Sequence, residues 1–274
     1  MRRDLRVSQQ NRRHAFPMSK RPGTNHRAHA SRARRQRVAL ITERSDCGSH
    51  TTELGTPMPT MLVVVASERE GLGLIEDLGL KQDRSFRVAA GKHEQKLGLY
   101  RGVQCDLLIT GVLEHHMVAA TSLYLCQQRA NRVVNFGACG TYGTLFGERN
   151  APRIGDVVSV STSLRFDVDD NLHWVPARTL EEFDIGLESV VCATGSRYSR
   201  PSDYVTDCFP KTAHVEDMEL YALAVLCETF GVPLHSIKYV TNEVGHDGRE
   251  QFRKNVVSAR DAGYRALISA LDTI

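Results

Sequence analysis

The chain has no run of about 18 apolar residues, so nothing in it reads as a membrane-crossing helix. Its seven cysteines are scattered, without a CxxC pair or any metal-ligand spacing. That argues against a disulfide framework and a zinc site, and for the reduced thiols of a cytoplasmic protein. Neither a metal nor an organic cofactor is expected. Acids are scarce at one end: residues 1–57 carry four of them against 13 lysines and arginines, in a chain with 32 acidic and 35 basic residues overall. The same stretch has almost no apolar periodicity before Val38, so residues 1–57 are expected to be a disordered Arg-rich tail. Three readings of that tail stand: sequence upstream of a true start at Met58 or Met61, an Arg-rich targeting segment, or a nucleic-acid-binding arm. A single aromatic residue, Phe16, stands among its arginines, too few to interleave with them, which speaks against the last and against nucleic acid as a partner.

What remains, residues 58–274, has the material for a folded domain; the whole chain is 274 residues long and 41% hydrophobic. Met61-Leu-Val-Val-Val-Ala66 is a continuous apolar run, the mark of a strand buried on both faces. Glu68, Arg69 and Glu70 follow it and lead into a helix around Gly71–Leu78. A carboxylate just beyond a buried strand stands where open α/β sheets keep their sites. Further strands are expected at Phe86–Ala90, Gln95–Tyr100 and Asp106–Thr110, then a helix over Glu114–Gln127. Arg132-Val-Val-Asn-Phe-Gly-Ala-Cys-Gly140 reads as a strand ending in a glycine turn, where small residues let the backbone approach a ligand. A later strand is expected at His235–Thr241, and a last helix from about Glu250 to Leu271.

Val215-Glu-Asp-Met-Glu-Leu-Tyr-Ala-Leu-Ala224 combines acids with an apolar run patterned as a helix from Met218 to about Phe230. Taken alone, Glu216, Asp217 and Glu219 are ordinary helix-start acids facing the positive end of the macrodipole. Arg165-Phe-Asp-Val-Asp-Asp170 has the acids of a calcium loop but not its glycine or its distal glutamate, which rules that loop out.

Several of these segments resemble the superfamily of nucleoside phosphorylases and methylthioadenosine/S-adenosylhomocysteine nucleosidases. Ala66-Ser-Glu-Arg-Glu70 is similar to the turn that carries the water-activating glutamate, and the resemblance points to Glu68 as that base. Met218-Glu219 is similar to the pair that grips the ribose, the methionine packing on the sugar and the carboxylate accepting from its hydroxyls. Val190–Tyr198 resembles the strand and loop that end in an aromatic stacked on the base, which implies that role for Tyr198. The Asn135–Gly140 stretch resembles the glycine turn, so Ala138 and Gly140 are expected at the substrate. Phosphorolytic members hold phosphate with an arginine and a hydroxyl residue where this chain has Asn135 and Ala138, so the turn looks built for water. Arg165–Asp170 resembles a segment at the relatives' dimer interface, which implies a homodimer.

Asn242 departs from the pattern. Adenine-cleaving relatives carry an aspartate there that protonates N7, and an amide is no general acid at neutral pH. It still donates a hydrogen bond to N7 or to a 6-oxo group, which leans toward a hypoxanthine-type base. Thr241-Asn-Glu-Val-Gly245 also resembles futalosine hydrolases, whereas Asp217–Ala224 and the strand at Lys238 look closer to the methylthioadenosine branch. The implied fold is a three-layer α/β/α sandwich with a central mixed sheet. The implied activity is hydrolysis of a purine N-glycosidic bond, with a purine nucleoside as the small-molecule partner. A phosphorylase and a nucleoside-binding relative without turnover are the alternatives.

Overall fold

A computed structural model of the chain describes residues 60–86, 97–103, 105–143, 151–167, 176–199, 211–245 and 247–273. The basic tail, the segment 87–96 that holds most of one expected strand, and residues 168–170 lie outside them. The first strand, β1 (Thr60–Val65), is followed by α1 (Glu68–Asp77), β2 (Lys81–Asp83), β3 (Gly98–Arg101), β4 (Cys105–Ile109) and α2 (Glu114–Gln127). Then come β5 (Ala130–Thr141), β6 (Val157–Arg165), β7 (Arg178–Thr179), β8 (Glu188–Thr194) and β9 (Val215–Asp217). The chain ends with α3 (Leu220–Phe230), β10 (Leu234–Glu243) and α4 (Gly248–Asp272).

All ten strands belong to one mixed sheet. β1 lies parallel between β4 and β5, and β5 pairs parallel with β10. β1 buries both faces, as its unbroken apolar run requires. Leu62, Val64 and Ala66 enter one hydrophobic core, while Met61, Val63 and Val65 enter the other. The first core is covered by α2 and α3 through Met117, Ala120, Tyr124, Leu220 and Leu223, the second by α1 and α4 through Leu74, Val256, Tyr264 and Leu267. Helix, sheet, helix is the expected three-layer order.

Beyond β5 the sheet closes on itself. β10 pairs antiparallel with β6, β6 runs parallel with β8, β8 with β9, and β9 returns antiparallel to the far end of β5. The strand β5 is long enough, at 12 residues, to pair with β10 along most of one edge and, on the other edge, with β1 as far as Asn135 and with β9 at Gly140 and Thr141. This brings the ends of β1, β5, β9 and β10 together. Among the described residues no helix is long and apolar enough to cross a membrane.

Candidate active site

Where those strands end, a cavity of about 280 Å³ opens, lined by Ser67, Glu70, Ala138, Gly140, Tyr198, Met218, Glu219 and Asn242 among others. It sits at the carboxyl ends of the parallel strands, the usual place for a site in an open α/β sheet.

The carboxylate that β1 delivers to this cavity is Glu70, not Glu68 as the sequence suggested. Glu68 is the first residue of α1 and is not part of the lining. Glu70, two residues on, is rotated by more than half a turn and buried. Its Oε2 accepts from the Ser67 N–H (2.8 Å) and the Ser67 hydroxyl (2.9 Å), closing a capping box at the start of α1. Its Oε1 accepts from the Ala138 N–H at 2.9 Å. A methyl group on Gly137 would stand 2.9 Å from that oxygen, so the glycine leaves the carboxylate its seat. The signal was present in the sequence: Ser67-x-x-Glu70 has capping-box spacing, which singles out Glu70 as the side chain that folds back.

Glu219 comes from the opposite wall. It is the N-cap of α3, and Glu216 and Asp217 belong to β9, so the acidic cluster straddles a strand and a helix instead of opening a helix. Glu219 is buried, and its Oε1 accepts from the Leu113 N–H at 2.8 Å. Burial and the neighbouring Asp217 push its carboxyl up to about 8, against the pull of Lys238 and the Leu113 N–H. The donor is held in a strained turn. Leu113 has φ 85°, the one non-glycine residue with positive φ among the described residues, at a cost of about 1–3 kcal/mol. Met218, half-buried, adds its side chain to the same wall.

Beneath Glu219 lies an ion pair the sequence reading did not identify. Lys238 Nζ donates to Asp217 Oδ2 at 2.7 Å, with the two side chains 2% and 1% exposed. Asp217 also accepts from the Thr194 hydroxyl (2.6 Å) and the Leu220 N–H (3.0 Å). Burial opposes the charge on Lys238, but Asp217 outweighs it and raises the ammonium above its ordinary value. Only the fold brings these two residues together; nothing in the local sequence marks the pair.

Tyr198, Ala138, Gly140 and Asn242 all line the cavity as expected. Tyr198 is 45% exposed at its mouth. Asn242 is buried, with Oδ1 2.9 Å from the Thr241 hydroxyl and Nδ2 donating to the Glu243 carbonyl at 3.0 Å. Those two contacts set the orientation of the amide and leave its second N–H for a ligand. Asn135 is not in the lining; it sits within the sheet, where its side-chain oxygen accepts from the Ser236 hydroxyl at 3.2 Å. Glu216 joins the lining and accepts from the Tyr142 hydroxyl at 3.0 Å and from Ser199.

No protein-family model matches the chain. Its sequence is 25% identical over 218 residues to a 5′-methylthioadenosine/S-adenosylhomocysteine nucleosidase of Geobacillus thermodenitrificans, covering 70% of this chain and 89% of that protein. It is 26% identical over 212 residues to the nucleosidase of the same name from Geobacillus kaustophilus, covering 68% and 87%. Among solved structures, the 5′-methylthioadenosine nucleosidase of Arabidopsis thaliana superposes with a TM-score of 0.66 at 21% identity, covering 79% of this chain and 97% of that one. The futalosine hydrolase of Helicobacter pylori superposes with a TM-score of 0.63 at 15% identity, covering 79% and 98%. Among the described residues, four helices on a ten-stranded mixed sheet, with the buried Glu70, Glu216 and Glu219 at one cavity, are thus set in a chain similar in sequence and fold to the methylthioadenosine/S-adenosylhomocysteine nucleosidase superfamily.

Proposed function

We propose that this protein hydrolyses the N-glycosidic bond of a purine nucleoside, as the nucleosidases it resembles do. The observation that carries the proposal is the convergence of two buried carboxylates, Glu70 and Glu219, on one cavity beside Met218. Breaking a ribosyl bond builds positive charge on the sugar, which a fixed carboxylate stabilises. Glu219 accepts from the ribose hydroxyls; its carboxyl stands at about 8, and the positive charge growing on the sugar draws it to the ionised form that steadies that charge, while Met218 packs on the sugar. Glu70, pinned through three hydrogen bonds, accepts a proton from the attacking water. Tyr198 covers the base, a contact worth about 1–3 kcal/mol. Asn242 contacts the imidazole side of the base but is no acid, so the leaving group is stabilised by hydrogen bonding.

Water is favoured over phosphate because neither expected phosphate position presents a donor side chain to the cavity. Ala138 has none and its N–H is given to Glu70, while Asn135 is bonded to Ser236 inside the sheet. Of the cations near the cavity, Lys238 is held by Asp217, and Arg69 joins the lining from the first turn of α1. A homodimer belongs to the same proposal. Arg165 binds Glu114 and Asp167 at 2.6 Å each in the segment resembling the relatives' interface, and Val112 and Tyr198 at the cavity are 40% and 45% exposed. Light scattering tests it.

The test of activity is base release from methylthioadenosine, S-adenosylhomocysteine, adenosine, inosine and futalosine, each with and without phosphate. Release without phosphate is expected. Release that requires phosphate would make the protein a phosphorylase, and release from none would end the hydrolase reading. Adenine, the base of the methylthioadenosine branch of the resemblance, is one reading of the leaving group; a 6-oxopurine is the second, favoured by Asn242.

A further inference from the structure

The turn that carries Glu70 is held from outside by α4. Tyr264 sets its hydroxyl against that turn, donating to the Glu70 carbonyl at 2.9 Å and accepting from the Gly73 N–H at 3.2 Å. One turn earlier on α4, Arg260 Nη1 donates to the Arg69 carbonyl at 2.9 Å. Its guanidinium carbon lies 5.1 Å from the centroid of the Tyr264 ring, a cation–π contact that ties the two side chains together. The helices come this close because Gly73 has no side chain: a methyl group there would stand 2.2 Å from a ring carbon of Tyr264. Tyr264 is buried, with its ring stacked on Phe136 of β5.

These bonds reach the backbone that places the carboxylate. Of the hydrogen bonds to the Glu70 side chain, those from Ser67 come from the same turn and move with it. The bond from the Ala138 N–H ties it to the sheet. A capping box fixes the shape of a turn, not its position. The position comes from α4, which is itself anchored. Val256, Tyr264 and Leu267 bury it in the second core. Asn255 Nδ2 donates to the Thr241 carbonyl at 2.9 Å, and Gln251 Oε1 accepts from the Glu243 N–H at 2.7 Å. Thr241 and Glu243 flank Asn242, so one helix grips the backbone of two walls of the cavity.

We propose that Tyr264 is a positioning residue for Glu70, with Arg260 as its support. The ring of Tyr264 packs the core; its hydroxyl is spent on the backbone of Glu70 itself. The inference rests on the reading of Glu70 as the base that takes a proton from water. A reacting group misplaced by about 1 Å costs about a hundredfold in rate. Glu219, Met218 and Tyr198 hold the nucleoside from other elements, so the loss falls on kcat and not on KM.

The test is Tyr264→Phe in the full chain, which keeps the ring and removes both hydroxyl bonds. The kcat of base release is expected to fall about tenfold or more, with KM unchanged within about twofold. A second readout needs no substrate. In protein made with isotope-labelled alanine, the Ala138 amide signal reports the bond to Glu70. That signal is expected to shift and its hydrogen exchange to quicken severalfold, while the signal of Ala193 in β8 stays in place. Arg260→Met keeps an apolar stem over the ring and should move kcat and the Ala138 signal the same way; it serves if Tyr264→Phe fails to fold. A folded variant with unchanged kcat, with a rise in KM alone, or with an unmoved Ala138 signal overturns the proposal. If the unaltered protein releases no base from any nucleoside, hydrolysis is refuted; a moved Ala138 signal then still upholds the positioning of Glu70, and an unmoved one overturns it.

Discussion

Exchanging Glu70 and Glu68 for glutamine, one at a time, separates two carboxylates that stand two residues apart in the first turn of α1. The structure gives them different surroundings. Glu70 receives three hydrogen bonds, two from Ser67 and one from Ala138, and lies in the cavity lining. In Glu70→Gln one oxygen becomes an NH2 group, and either orientation sets it against an N–H or O–H donor. A buried donor left without an acceptor costs about 1–3 kcal/mol, so the urea midpoint should fall accordingly. Loss of a general base costs about a hundred- to ten-thousand-fold in rate. Glu68 lies in the first turn of α1, where its charge is worth about 0.3–1 kcal/mol against the helix dipole. Glu68→Gln should therefore lower stability slightly and leave turnover intact. The assay is base release per folded molecule, measured well below the melting temperature of each variant, with urea unfolding alongside. An inactive Glu68→Gln beside an active Glu70→Gln would refute the assignment, and so would equal losses in both.

Three further outcomes are expected. Lys238→Met should destabilise the fold by about 3–5 kcal/mol, because it leaves Asp217 charged and buried, and Asp217→Asn added to it should recover part of that loss; denaturant titration of the single and double variants measures both. Glu219 has a folded-state carboxyl raised to about 8 from 4.5, so its protonated form is favoured on folding. Its stabilising share is full below pH 4.5 and is lost as pH rises through 8; Glu219→Gln should flatten that decline when the two proteins are melted across the range. Gly140→Ala should displace the Asn242 amide and lower kcat/KM by about a hundredfold with little change in unfolding midpoint, which steady-state kinetics and melting would show together.

The layered fold was readable from the chain because its signals are local. The apolar run at Met61–Ala66 and the helical pattern at Glu114–Gln127 describe elements that the structure holds at nearly those bounds. The two-residue β7 and three-residue β2 were not readable, since a period of two has no room to show itself in so few residues. At the site, Met218, Glu219, Tyr198, Ala138, Gly140 and Asn242 were marked by motif and reach the cavity. Glu68 was chosen over Glu70 because a motif spaced by two residues does not say which side of the helix faces inward. The place of Glu216 in the cavity lining was hidden for another reason. A carboxylate beside a helix reads as a dipole partner, and only the strand register across Gly140 sets it against Asn242.

The closure of the sheet has a consequence for how the molecules behave in company. An open sheet ends in unpaired N–H and C=O groups that invite a strand from another chain. Here β10, β6, β8, β9 and β5 pair in a ring, so the described sheet ends only at β2 and β7. The strand β2 is three residues long, Lys81-Gln82-Asp83, with two charges and little apolar surface, and β7 is two residues long and begins with Arg178. Neither gives an incoming strand enough backbone to pair with. The turn of strands that gathers the cavity walls thus also removes the edges through which a β-rich protein would otherwise polymerise.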